Sequence, residues 1–255
     1  MDIVLIGSGN TATVLGRKAK AVGHRILQVY SRNAKHADEL AVELSSGSTS
    51  NINSIKKEAD LMIVALKDDA IKPCVLQMGI LKSLVVHTAG AIPMEDVSGQ
   101  NTSFGVLYPL QSLRKEIENL PSLTILIDGN NEESKKQVHA FALSIAETVF
   151  EANDNTRLKY HLAATMVNNF TNHLFVMAES FCKNENISFA LLQPLMEETV
   201  IRLRNESPSS LQTGPAVRKD ISTLEKHRQL LMLYPALLEF YEKFTKEIQQ
   251  YDNPL

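Results

Sequence analysis

The chain has 255 residues, enough for one large domain or two of ordinary size, and 44% of them are hydrophobic, enough for a substantial core. Its formal net charge of −3, with both signs mixed, advertises no basic surface for nucleic acid, and no apolar run is long enough to span a membrane. Cys74 and Cys182 stand far apart in no metal-ligand spacing. They are expected as reduced thiols of a cytoplasmic protein that holds no metal, and a strand beginning at Asp2 leaves no room for a signal peptide.

The first element is the most informative. Asp2-Ile-Val-Leu-Ile6 reads as a short apolar strand, Gly7-Ser8-Gly9-Asn10-Thr11-Ala12 follows, and Val14, Leu15, Ala19 and Val22 then recur at helical spacing. A Gly-x-Gly-x-x-Ala run between a strand and a helix is the context of a dinucleotide-binding turn. Gly7 permits the tight turn, Gly9 lets the backbone approach a pyrophosphate, and Ala12 keeps the helix close to the strand. The helix start offers free N–H groups and the positive end of its dipole to the phosphates. The bland reading is a tight strand-to-helix turn with no ligand.

Strand and helix signals then alternate. Arg25 to Tyr30 reads as a second strand, Ala34 to Leu44 as a helix, and Ser45 to Ser50 as a small-residue loop with room for a short strand. Leu61 to Leu66 and Leu84 to His87 are apolar runs suited to buried parallel strands. Between them Asp69 to Met78 reads as a helix interrupted or opened by Pro73. Phe104 to Leu107 and Leu123 to Ile127 continue the sheet, Asn131 to Ala146 is a helix, and Thr148 to Phe150 is a last strand. Strands alternating with helices predict a parallel, doubly wound Rossmann sheet. After Asn153 only helical patterns remain: Arg157 to Lys183, Phe189 to Arg204, Ile221 to Leu233 and Ala236 to Gln250. The expected fold is therefore α/β, with a dinucleotide-binding domain over 1–152 and an all-helical substrate and dimerisation domain over 153–255.

The nucleotide is read at the end of the second strand. An Asp or Glu there holds the ribose 2′-hydroxyl of NAD. No acid occurs from Arg25 to Ala37, and Ser31 and Arg32 offer a hydroxyl and a guanidinium instead, chemistry that suits the 2′-phosphate of NADP. Arg32 as a plain surface residue is the alternative. Leu66, Thr88 and Gly90, at the ends of the next two strands, complete the expected cofactor contacts.

Three strand ends carry polar residues where ligands of such sheets bind. Asp68 reads as a helix cap. His87 either hydrogen-bonds loop backbone or reaches a substrate. Tyr108, held extended by Pro109, either aims its phenol into the cleft or packs in the core. On the first helix of the second half, His161, Thr165, Asn168 and Asn172 recur at spacings of four, three and four, a polar stripe that faces either a cleft or solvent. Further on, Gly214-Pro215 is a turn, Asp220 or Ser222 can cap the next helix, and Thr213 and Arg218 could serve an anionic group. The candidate chemistry is proton donation by His161, with Asn168 and Tyr108 beside it and His87, Thr165, Thr213 and Arg218 around a small-molecule substrate.

Gly7-Ser-Gly-Asn-Thr-Ala12 and the placing of Ser31-Arg32 are similar to pyrroline-5-carboxylate reductases. The whole chain resembles a family with a Rossmann domain and a dedicated helical domain, the domain of unknown function 2520. That resemblance rests on Gly7-Ser-Gly-Asn10, Val86-His-Thr-Ala-Gly90, Tyr108-Pro-Leu-Gln111, Lys159-Tyr-His161 with Asn168-Asn169, and Gln212-Thr-Gly-Pro-Ala-Val-Arg-Lys-Asp220. It implies a relation to the 6-phosphogluconate dehydrogenase superfamily, NADP- or deazaflavin-linked redox chemistry, and a homodimer formed through the helical domain. It supplies no substrate. Tyr108 stands where the family more often has His, and Lys219 where it more often has Gly. The lysine that hydroxyacid dehydrogenases of the superfamily place three residues before an Asn has no counterpart, since Lys159 has the wrong spacing. Two readings follow: an NADP-dependent oxidoreductase, or an NADP-binding sensor or assembly module without catalysis.

Overall fold

The computed structural model describes residues 1–117 and 119–250, which divide into one unit up to residue 170 and a second from residue 171 on. In the first unit β1 (Asp2–Ile6), α1 (Asn10–Ala21), β2 (Arg25–Tyr30), α2 (Ala34–Leu44) and β3 (Gly47–Thr49) form one half of a sheet. The other half is built by β4 (Leu61–Val64), α3 (Asp68–Met78), β5 (Leu84–His87), β6 (Phe104–Pro109), β7 (Thr124–Gly129), α4 (Glu132–Ile145) and β8 (Thr148–Glu151). The strand order is β3-β2-β1-β4-β5-β6-β7-β8. The chain reverses its direction of travel across the sheet between β1 and β4, so their carboxyl ends flank the crevice where such sheets bind ligands.

The central strands are buried on both faces because alternate residues feed two cores. Ile3 and Leu5 pack with Leu15, Leu40 and Phe141 on one side, while Val4 and Ile6 pack with Met62, Ile71 and Val75 on the other. Helix starts follow local chemistry: the side chains of Asn33, Asn131 and Asn153 accept from His36, Ser134 and Thr156 N–H respectively. Asp68 does not cap α3. It is the first helical residue, Lys67 holds the cap position, and the carboxylate instead lies in the first turn, where the dipole favours it. Pro73 lies inside α3 rather than ending it.

One strand differs from the parallel expectation: β7 runs antiparallel to β6. Among the described residues of the connection between them no helix forms, and without a crossover helix an antiparallel return is the accessible geometry. β8 then pairs parallel to β7 through α4.

After β8, α5 (Asp154–Ala164) and a π-helical turn (Thr165–Phe170) complete the first unit. The contact division thus falls nearly a helix beyond the end of the last strand. The second unit holds α6 (Thr171–Asn184), a 3₁₀ turn at Phe189–Leu192, α7 (Gln193–Arg202), α8 (Ile221–Leu231) and α9 (Pro235–Gln250). Its described residues are all helix, turn or loop, as the apolar spacing predicts. Asp220 caps α8 by accepting from Thr223 N–H at 3.1 Å, so of the two candidate caps the earlier one is used. Lys219 takes a left-handed φ of 53°, the conformation that glycine, more frequent there in the resembling family, adopts without strain. Among the described residues no helix is long and apolar enough to cross a membrane, and no group of three His, Cys, Asp or Glu lies together as metal ligands.

Candidate active site

The turn after β1 fits a dinucleotide. Gly7 has φ +125° and its Cα crosses β4 so closely that a Cβ would lie 2.2 Å from the Ala65 carbonyl oxygen. Gly9 is different: its φ of −83° suits any residue, and a Cβ there would meet nothing within 4 Å. Neither backbone conformation nor packing asks for glycine at 9. The space beside it is what a pyrophosphate needs. Gly9 also stands at the cap of α1 with no side chain capping the helix, so no side chain competes for the amides of Asn10, Thr11 and Ala12.

The turn is tied to the end of β2. Ser8 Oγ–H donates to Ser31 Oγ at 2.9 Å, and Ser31 Oγ also accepts from Asn33 N–H. Beside them, Arg32, Tyr30, Leu66 and Cys74 line a cavity of about 390 Å³. Burial pushes the Cys74 thiol up to about 11, against the pull of the nearby Arg32 charge, so the thiol stays protonated, and the charges on the cavity wall are those of Arg32, Lys67 and Asp69. An adenosine carrying a 2′-phosphate fits this donor set.

The second cavity, about 630 Å³, lies at the end of β6 and along α5 and the π-helical turn. Tyr108, Gln111, Ser112, His161, Thr165, Asn168 and Asn169 supply its polar lining. Tyr108 Oη and His161 Nδ1 are 2.9 Å apart. Burial, with a smaller push from the Asp68 charge, raises the Tyr108 phenol above its ordinary value, while the Arg157 charge pulls the other way. The phenol is thus protonated at neutral pH. With a neutral imidazole it donates to Nδ1, and Nε2 carries the ring hydrogen. The loop after β5 fixes the ring from beneath: a Cβ on Gly90 would lie 2.6 Å from His161 Nδ1, so only glycine lets the imidazole rest there. Gly90, expected at the cofactor, and His161 and Tyr108, expected at the substrate, thus meet at one place.

The other candidates divide. Thr165 lines the cavity, but its hydroxyl donates to the His161 carbonyl at 3.0 Å. His87 is fully buried, and its Nδ1 accepts from Ala89 N–H at 3.1 Å, so of its two readings the structure has the backbone one. Burial lowers the His87 pKa to about 4, which keeps it neutral. Thr213 and Arg218 belong to the second unit, where they flank the Gly214 turn.

Arg157 escaped the sequence reading. Its side chain is 1% exposed; Nη2 donates to the Ile92 carbonyl and pairs with Asp154 at 2.9 Å. Asp154 in turn accepts from Met94 N–H. Arg157 stands one helical turn before His161 on α5, and its charge acts on both His87 and Tyr108. A lone arginine at a helix start carries no sequence sign that it will be buried. Gln111 and Asn169 were visible within motifs but had no assigned role.

Residues 2–89 match the family model described as NADP oxidoreductase, coenzyme F420-dependent, and residues 123–248 match the domain of unknown function DUF2520. A Bacteroides fragilis protein described as a "putative NADP oxidoreductase" is 34% identical, with 98% of each chain covered and a TM-score of 0.90. A Thermotoga maritima protein is 18% identical over 97% of each chain (TM-score 0.74). The 1-pyrroline-5-carboxylate reductase of Streptococcus pyogenes is 16% identical over 98% of each (TM-score 0.62), which shows a shared fold. No curated protein matches the chain.

Proposed function

Because the chain belongs to the family that joins an NADP-oxidoreductase dinucleotide domain to the DUF2520 domain, we propose that it is an NADP-dependent oxidoreductase acting on a small imine or carbonyl compound. The observation that carries this reading is the Tyr108–His161 hydrogen bond, set in a cavity at the end of β6 and resting on Gly90. The amides of residues 10–12 bind the cofactor's pyrophosphate, with Gly9 leaving room for it. Ser31 and Arg32 bind the 2′-phosphate and favour NADPH over NADH. When bound, the nicotinamide supplies a hydride to the carbon of a C=N or C=O group.

The chain's own task is then the proton. Nε2–H of His161 delivers it to the nitrogen or oxygen that gains negative charge, and in the same step the Tyr108 hydroxyl passes its own proton to Nδ1, so that the ring stays neutral and the phenol is reprotonated from solvent. Asn168 and Gln111 orient the substrate by hydrogen bonds from the cavity wall. The likeness to a pyrroline-5-carboxylate reductase, whose named substrate is a cyclic imine, supports the imine class. The helical unit pairs with a second copy to make a homodimer.

The test is loss of nicotinamide absorbance when purified protein and NADPH meet a panel of small imines and ketones. One class turns over, and NADPH binds more tightly than NADH. His161→Asn lowers turnover by about 10²-fold or more, the scale of a lost general acid, and Tyr108→Phe by less. Full turnover by the His161→Asn protein overturns the role of His161. Tight NADPH binding with no turnover of any class overturns the enzyme reading in favour of a binding module.

A further inference from the structure

The connection from β6 to β7 touches both halves of the candidate site. Its first residues, Gln111 and Ser112, line the larger cavity. A few residues on, the same segment is strapped to α1: Arg17 Nη1 donates to the Lys115 carbonyl at 2.6 Å, and Lys115 N–H donates to Asn10 Oδ1 at 3.4 Å. Arg17 is itself held by Glu43. Lys115 thereby lines a small cavity of about 240 Å³ together with Ser8, Thr13 and His36. Ser8 is the residue bonded to Ser31, so this cavity opens on the junction of the glycine turn and the end of β2.

The charges there are unequal in what they do. Three carboxylates border the cavity: Glu43 is taken by Arg17, Glu39 lies 3.9 Å from Lys35, and Glu116 faces Arg17 as well. Arg17 is occupied by Glu43 and by the strap's carbonyls. Among the described residues the Lys115 ammonium has no carboxylate within salt-bridge distance, unlike Lys18, Lys35, Lys72 and Lys135. A flexible cation with its backbone pinned and its charge unspent is placed to meet a phosphate.

We infer that Lys115 is a further binding residue for the cofactor's 2′-phosphate, supplied by the β6–β7 connection from outside the strand end that carries Ser31 and Arg32. The inference rests on the NADP reading above and deepens it. It also gives the specificity a structural consequence: a 2′-phosphate that engages Lys115 holds the strap whose beginning forms the wall of the substrate cavity. NADH lacks that group and leaves the strap held only by Asn10 and Arg17.

The test is binding measured without turnover. NADPH and NADH affinities are taken by fluorescence titration for wild type, Lys115→Gln, Lys115→Arg and Arg32→Ala, with melting temperatures to confirm folding. Competition by 2′,5′-ADP and by 5′-ADP isolates the phosphate. Lys115→Gln is expected to weaken NADPH and 2′,5′-ADP by about five- to tenfold, the range of a partly exposed charge-assisted contact. NADH and 5′-ADP stay unchanged, and Lys115→Arg keeps most of the preference. Lys115→Gln that binds NADPH as wild type does, or that weakens NADPH and NADH alike, overturns the inference. If Arg32→Ala erases the preference while Lys115→Gln leaves it, the inference alone fails. If wild type shows no preference, it falls together with the NADP reading.

Discussion

Gly7 and Gly9 stand two residues apart and are glycine for different reasons. At 7 the backbone itself demands it, by a positive φ and by the Ala65 carbonyl. At 9 nothing in the protein does. Gly9→Val is therefore expected to change stability by no more than about 1 kcal/mol yet abolish binding of both NADPH and NADH, a pairing of results that calorimetry and titration can check together. Gly7→Val should instead lower the melting temperature sharply. His87 gives a second prediction at this scale. Its pKa is about 4 in the folded chain against an ordinary 6.5, because burial disfavours the charged imidazole. The unfolded chain binds more protons between these values, so stability is fully present above pH 6.5 and is lost as pH falls towards 4. The loss is on the order of 3 kcal/mol at 1.36 kcal/mol per unit. Urea unfolding of wild type and His87→Gln across that range should show the variant with the flatter acid side. An equal slope in both would exclude His87 as the cause. The glycines, Ser31, Arg32 and His161 were legible because each stands in a short motif whose chemistry depends on local order. Arg157 was not, because its burial is decided by Ile92 and Asp154 meeting it in space.

Among elements, the apolar runs and the Asn caps made nearly every strand and helix of the first unit readable, since both signals are local. The antiparallel turn of β7 was not, because an apolar run has no direction until its connection is known. The π-helical turn at Thr165–Phe170 was equally hidden. The polar stripe assumes 3.6 residues per turn, and Thr165-Met-Val-Asn-Asn-Phe170 contains nothing that announces a wider one. The wider turn matters for the site. It puts Asn168 and Asn169 both on the cavity wall, which a regular α-helix, advancing about 100° per residue, presents less readily. Removing one residue from the turn should restore the regular ladder and rotate the residues after it. Val167 is the one to delete, because it is 74% exposed and its loss opens no core cavity; it also lines the candidate cavity, so Val167→Ala, which keeps the turn, is the control that must stay near wild type. Helicity and melting temperature should stay near wild type, while turnover falls by about tenfold or more, as expected when positioning groups move by an ångström. A deletion variant with normal turnover would show the wider turn to be irrelevant to the site.

At the scale of the whole molecule the two units are built unequally. The first has a dense two-sided core around its sheet. In the second, only Cys182, Ala216, Leu224, Leu231 and Thr245 are buried among the described residues. Local contacts give its helices shape: Phe181 and Tyr234 stack edge to face, Tyr234 donates to Glu185, and His227 bonds Tyr241 across α8 and α9. These are surface interactions, weakened by the water around them. They do not replace a core in a unit of this size. Meanwhile Leu191, Leu195, Ile221, Met232 and Leu233 stand more than half exposed. Exposed apolar side chains in this number, beside so few buried ones, are what an interaction would cover. In the homodimer proposed above a second copy of the chain would cover these residues, and a symmetric pair buries the same patch twice. Light scattering at micromolar concentration is therefore expected to give a mass twice 28.3 kDa. Dilution should lower the melting temperature, because unfolding is then coupled to dissociation. Leu195→Glu with Leu233→Glu should yield a monomer whose helical unit is largely unfolded, while the dinucleotide domain still binds NADPH. A wild-type monomer with a concentration-independent melting temperature would mean that the helical unit is stable with its apolar faces in water.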